Sequence, residues 1–369
     1  ALIGVRRAAW MHWVALAQLF FFWLLWAIKL QAALDHPEAI APELMLAWYL
    51  PALGVTFAVL LAASCRSSRP GPFALALPAL NVAWAFAAAG AVVLPWLSAD
   101  RWLGAVALCL AIVHLSLAWL FARRPAADPA RATAFVLAAA TAFVPATWLL
   151  TGSAPAAATT WALLAVGIAW WSGRLGSGGM RAIACCLQVG TTMTAFAAGA
   201  FATPPPAPWR AMLLGAALAT IAAVHYRWTR ATAPREASWY ARLSPTDRPG
   251  ALLLWACIAA TFGCLRVAAH PALASMPIDV DNAFSGAESV LLNAIAITLL
   301  VLAHRNRSRP ALTAAVLVAT IGGIKVFASD FFSLHGVPLV LGVFSFGMTA
   351  AVASVILGRW QRAVQPAAG

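Results

Sequence analysis

The sequence predicts an all-α polytopic membrane bundle of about twelve transmembrane helices with both termini in the cytoplasm. Three observations carry this. The chain is 63% hydrophobic and 9% charged, with a mean hydropathy of +0.85, too little polar surface to coat a soluble globule of 369 residues. Its apolar runs approach the ~20 residues that cross ~30 Å of hydrocarbon. Nearly all of its arginines fall in alternate connections between those runs.

The first run, 9–28, follows Arg6 and Arg7 and imitates a signal peptide. It lacks a clear small-residue cleavage site and is read as a span. Asp35, His36, Glu38 and Glu43 lie between it and span 2, 44–64, which contains Pro51 and leads into Arg66 and Arg69. Span 3, 73–97, holds Asn81, Pro78 and Pro95, and Asp100 and Arg101 follow it. Span 4, 102–121, carries His114 at mid-span and ends before Arg123 and Arg124. Asp128 and Arg131 then precede span 5, 133–150, with Pro145. Prolines inside such spans kink helices whose freed backbone groups neighbours then satisfy.

Span 6, 159–173, is short, so its helix should extend into flanking residues or the bilayer should thin there. Arg174 and Arg181 separate it from span 7, 182–201, where Gln188, Thr191, Thr192 and Thr194 form a polar group. Arg210 precedes span 8, 211–226. The longest basic connection, Arg227 to Gly250, holds five arginines with Pro234, Pro245 and Pro249 and fits a surface loop. Span 9, 251–269, ends near Arg266, and residues 270–288, with His270, Asp279, Asp281 and Glu288, read as a structured loop or at most a re-entrant element. Span 10, 289–303, contains Asn293 and is followed by Arg305, Arg307 and Arg309. Span 11, 311–328, contains Lys325, and Asp330 and His335 lie between it and span 12, 339–357. Arg359 and Arg362 close the chain.

On this assignment one side of the membrane holds nineteen of the 24 basic residues and only Asp128, Glu236 and Asp247 among the acids. The other side holds Lys29, Arg101, Arg210, Arg266 and Lys325 against eight acids. Positive loops resist translocation, so the arginine-rich side is cytoplasmic and the localisation expected is a bacterial inner membrane. The net charge of +13 then reflects sidedness, with anionic lipid on the cytoplasmic face as counterpart, and does not support nucleic-acid binding. Other membrane subunits are the remaining partner class.

Most of the eighteen tryptophans fall near span ends, where indole prefers the headgroup layer. Small-residue runs at 85–91 and 195–202 predict close helix packing. The whole chain reads as a single transmembrane domain, with a natural subdivision into spans 1–8 (residues 1–226), the basic cytoplasmic loop (227–250) and spans 9–12 (251–369).

The candidate site lies on the side opposite the arginines. Arg266 and Lys325 sit near the outer ends of spans 9 and 11, within reach of the acids of the outer connections, Asp279, Asp281, Glu288 and Asp330 among them, if the loops converge, and His335 is close in sequence. An intramembrane base is a functional hypothesis by default, against the alternative that it snorkels to the interface. Asn293 adds a polar position inside span 10. No pair has metal-ligand spacing, no catalytic group is identified, and no cofactor is indicated. No acid lies deep in any predicted span, which weighs against a proton- or sodium-coupled carrier.

The stretch SVLLNAIAITLLVLAHR followed by GGIKVFASDFFSLHGVPLVLGVFSFGMTAAVASVILGRWQR resembles the C-terminal end of a bacterial polytopic membrane-protein family, domain of unknown function 2339. Asn293, Lys325-Val326-Phe327, Asp330, Ser345-Phe346-Gly347 and the tail at Trp360 to Arg362 carry the likeness. The resemblance implies many spans and marks Asn293, Lys325, Asp330 and Ser345 as positions of interest, with no catalytic role attached.

These readings lead to an integral inner-membrane scaffold or transport-related subunit without covalent chemistry of its own. A secondary transporter of a small or lipid-like solute is one alternative. A membrane enzyme acting on a lipid-linked substrate at the outer face, with Arg266, Lys325 and His335 around an anionic headgroup, is the other.

Overall fold

A computed structural model describes residues 9–35, 42–66, 72–97, 100–123, 129–204, 207–232 and 248–364. Among them the chain is helical throughout, without strands. The helices are α1 (Ala9–Asp35), α2 (Pro42–Arg66), α3 (Pro72–Leu97), α4 (Asp100–Arg123), α5 (Pro129–Thr151), α6 (Ala154–Leu175), α7 (Gly178–Ala197), α8 (Pro208–Ala231), α9 (Arg248–Ala274), α10 (Val280–Asn306) and α11 (Arg309–Lys325). A π turn (Val326–Asp330), the single-turn α12 (Phe331–Ser333) and α13 (Val337–Val364) complete the order.

Eleven segments among the described residues are long and apolar enough to cross a membrane. Of the twelve spans expected, the one without such a counterpart is α7, whose 20 residues include Arg181, Gln188 and three threonines. Large apolar side chains such as Phe22, Val59, Leu163, Leu213 and Phe344 face outward, a surface suited to lipid. The chain is therefore a multi-pass helical membrane protein. His36, Glu38 and residues 233–247 of the basic connection lie outside the described residues, and the side chains of Asp35 and Glu43 are likewise not described.

The short spans lengthen as expected: α6 begins at Ala154 and α10 at Val280. The second extension corrects the reading of 270–288 as a loop, because only Ser275–Asp279 separates α9 from α10. Asp279 caps α10 through its side chain, which accepts from the Asn282 amide, and Ser285, Glu288 and Ser289 turn toward Lys325. Glu288 thus stands in the third turn of a helix.

The chain divides into two compact units, Ala1–Ser153 with Arg174–Met180, and Ala154–Gly173 with Arg181–Gly369. In the first, α1, α2 and α3 bury Leu30, Tyr49, Trp23 and Trp84 together. Trp23 stacks on Trp26 with centroids 5.2 Å apart and meets Tyr49 edge-on. Trp26 also meets Tyr49 edge-on, with centroids 5.3 Å apart. Within this cluster Tyr49 donates to the Ala88 carbonyl at 3.0 Å, Asn81 to the Phe57 carbonyl at 3.0 Å and Trp84 to Asn81 Oδ1 at 3.1 Å, whereas the buried Trp23 Nε1 has no hydrogen-bond partner among the described residues. Beside it, α4 lies against α5, where a side chain at Gly104 would come within 3.0 Å of Leu149. His114 is fully buried between Phe57 and Phe135, and its Nδ1 lies 2.7 Å from the Leu110 carbonyl.

In the second unit, α6, α8 and α9 close around Phe201 from the α7–α8 connection. Gly215 and Gly263 make room for its ring: a Cβ at Gly263 would lie 2.7 Å from it. A second core joins α9, α10, α11 and α13 through Leu254, Leu299, Leu300, Val318 and Ile356. Here α10 and α11 form an antiparallel pair joined by two residues. Arg307, left-handed at φ 47°, ends α10, and the Ser308 side chain caps α11.

Candidate functional site

Four charged side chains from three helices meet near the N-terminal end of α10. Lys325 Nζ lies 2.7 Å from Asp330 Oδ1 and 3.9 Å from Glu288 Oε2, and Arg266 Nε pairs with Glu288 Oε1. Two bases and two acids make the group neutral, which permits burial that a lone charge in hydrocarbon would not. Asp330 is fully buried, whereas the Arg266, Lys325 and Glu288 side chains retain 31%, 22% and 16% exposure, so the cluster is partly open on the side of these three.

Serines complete it. Lys325 Nζ also donates to the Ser285 carbonyl at 2.9 Å, to Ser289 Oγ at 3.0 Å and to Ser285 Oγ at 3.3 Å. Ser289 in turn donates to Asp330 Oδ2. The ammonium therefore sits in a cage of oxygens.

Local winding places these groups. In an α-helix, residues five apart face ~140° away from one another. The π turn's i→i+5 bonding brings Asp330 round to the side of Lys325. On α10, Ser285, Ser289 and Asn293 recur every fourth residue and so line one face. Close approach is secured by glycines: a Cβ at Gly286 would lie 2.8 Å from Pro338, and one at Gly322 would lie 2.9 Å from Asn293 Oδ1.

The polar face continues inward. Asn293 is the middle residue of α10, a helix about 40 Å long. Its Nδ2 donates to Ser345 Oγ at 2.9 Å, and Thr349 donates to its carbonyl at 3.4 Å. Its Oδ1 is buried and has no hydrogen-bond partner among the described residues. Beyond Asn293 the same seam becomes apolar, through Ala296, Leu300 and Ala303 of α10 with Ala314, Ala315 and Val318 of α11. The polar stripe thus reaches mid-helix and stops.

Of the residues expected at the site, Arg266, Lys325 and Asp330 are brought together, and Asn293 lies one turn below Ser289. Asp279 is the α10 cap, and Asp281 is exposed in the first turn. His335 takes part through its backbone, whose amide and carbonyl pair with the Asn282 side chain at 3.3 and 3.2 Å. Sequence reasoning misses Ser285 and Ser289; their four-residue spacing into Asn293 is the available signal.

Arg266 also donates to the Phe201 carbonyl at 3.4 Å, and its guanidinium lies over Phe284 at 5.5 Å. On the outer side of α11 and α13, an apolar groove of about 530 Å³ is lined by Thr320, Gly323, Ile324, Phe327, Ala328 and Phe346. Among the described residues no group of three or more His, Cys, Asp or Glu is arranged to hold a metal ion. No family model, curated protein or solved structure matches the chain.

Proposed function

We propose that the protein is a transport-related integral membrane protein of a bacterial inner membrane, either a carrier or a membrane subunit of one. The observation that carries this reading is the neutral charge cluster at Lys325 and Asp330, continued by polar groups to mid-helix and ended by an apolar seam. Paired ionisable groups inside a helical bundle mark ion and solute paths because nothing else in hydrocarbon repays their desolvation so directly. A path reaching halfway, closed beyond, is what an alternating or partner-completed route requires on one side.

Counted with α7 as a twelfth crossing, the arginine distribution supports placing both termini in the cytoplasm and the cluster toward the opposite face, with anionic lipid against the basic loops. The likeness of residues 289–305 and 322–362 to domain of unknown function 2339 belongs to the same reading, since its positions Asn293, Lys325, Asp330 and Ser345 all fall on this stripe. The lipid-enzyme alternative gains less: Lys325 is occupied by oxygens and His335 enters through its backbone alone.

The test uses the full chain, gently extracted with whatever copurifies and reconstituted into liposomes on a capacitive support. Jumps in pH, sodium, potassium, chloride, phosphate and small organic ions are applied in turn. A charge displacement with at least one of them, lost in Asp330→Asn, is expected. No displacement and no tracer uptake with any of them would overturn the reading.

A further inference from the structure

We infer that the species handled at this site is the proton, that Asp330 is the group that accepts it, and that Lys325 is a tethered cation exchanging between Asp330 and Glu288. This rests on the transport reading and names its substrate.

The argument begins with donors and acceptors. An ammonium has three N–H donors. Lys325 Nζ has four oxygens between 2.7 and 3.3 Å and the Glu288 carboxylate at 3.9 Å. Acceptors exceed donors, so the ammonium has a second carboxylate to turn to without leaving its cage. Glu288 is held in place for this by Arg266. The charged groups paired around Asp330 are thus Lys325 of its own segment, Glu288 of α10 and, behind Glu288, Arg266 of α9; from α13, Gly342 comes close to Asp330 Oδ2.

Sodium fits the same cage less well, because it must evict the ammonium, whereas a proton needs one carboxylate oxygen. The step adds a proton to Asp330 Oδ2 and breaks no covalent bond. The carboxylate becomes an acid, its O–H donates to Ser289 Oγ in reversal of the present hydrogen bond, and Lys325 keeps its three protons and moves toward Glu288. The cluster passes from neutral to a single positive charge at its partly exposed edge. At the deep end, the buried Asn293 Oδ1 is an open acceptor in line with Ser289 on the same face, so the stripe ends on a group that receives a hydrogen-bond donor.

The π turn couples the proton to motion. The Lys325–Asp330 attraction favours the winding that sets these residues face to face. Once Asp330 is neutral that attraction is gone, and α-helical winding would leave its carboxyl facing ~140° away from Lys325.

Infrared difference spectroscopy of the reconstituted full chain on a pH jump tests this directly. Wild type should show a carboxylic-acid carbonyl band that appears on acidification. Asp330→Asn should lose it, while Glu288→Gln and Ser289→Ala should keep it with a shifted frequency. Absence of the band, its persistence in Asp330→Asn, or its removal by sodium at constant pH would overturn the proposal. Charge displacement in wild type without an Asp330 band would leave the transport reading intact and remove the proton from it. Absence of both would remove both.

Discussion

Lys325 and Asp330 are five residues apart in sequence and form a 2.7 Å ion pair because one π turn separates them. Asp330 is fully buried, so the two partners are not equivalent. Lys325→Met leaves a buried carboxylate without a cation and should cost about 3 kcal/mol or more. Asp330→Asn leaves Lys325 its serine oxygens and Glu288 and should cost less. The double variant should be more stable than Lys325→Met alone, as a thermal-unfolding series in one detergent would show. Additive losses would mean that the pair is uncoupled.

Gly322 lets α11 approach Asn293 closely. A methyl group there meets Asn293 Oδ1 at 2.9 Å, so Gly322→Ala should destabilise by about 1–3 kcal/mol through overpacking. In an Asn293→Ala background the same substitution should be nearly neutral. Unfolding midpoints of the four proteins provide the comparison.

Phe201 holds the α7–α8 connection against the glycines of α8 and α9. Phe201→Ala should cost about 3–5 kcal/mol, the range for emptying a buried aromatic site. Gly263→Ala, whose Cβ would lie 2.7 Å from the ring, should be destabilising alone and much less so when combined with Phe201→Ala.

The sidedness inferred from arginines has a direct reading. In a background lacking the six native cysteines, His335→Cys should react with a membrane-impermeant maleimide in intact spheroplasts. Arg307→Cys, in the turn after α10, should react only after permeabilisation. The opposite pattern would invert the topology.

Much of the architecture was legible because hydropathy and charge are properties of single segments. Apolar runs locate helices without any knowledge of which helix touches which. The failures were local and had one cause. The prolines and acids of 270–288 predict a connection there, whereas Ser285 and Ser289 stand on α10 and turn inward to Lys325 and Asp330. The same error made Asp330 appear to be a connection residue and removed the buried acid that a proton-coupled path needs.

What the sequence by itself determined is a helical, multi-pass membrane chain with a charge distribution of one hand. What only the tertiary structure decided is that Arg266, Glu288, Lys325 and Asp330 form one cluster, with Ser289 and Asn293 beneath it. The physical reason is that helices in lipid choose partners by close packing at small residues such as Gly286 and Gly322, and many runs of this chain are equally small and apolar. Which faces meet, and the π turn that aims Asp330, emerge from packing in three dimensions.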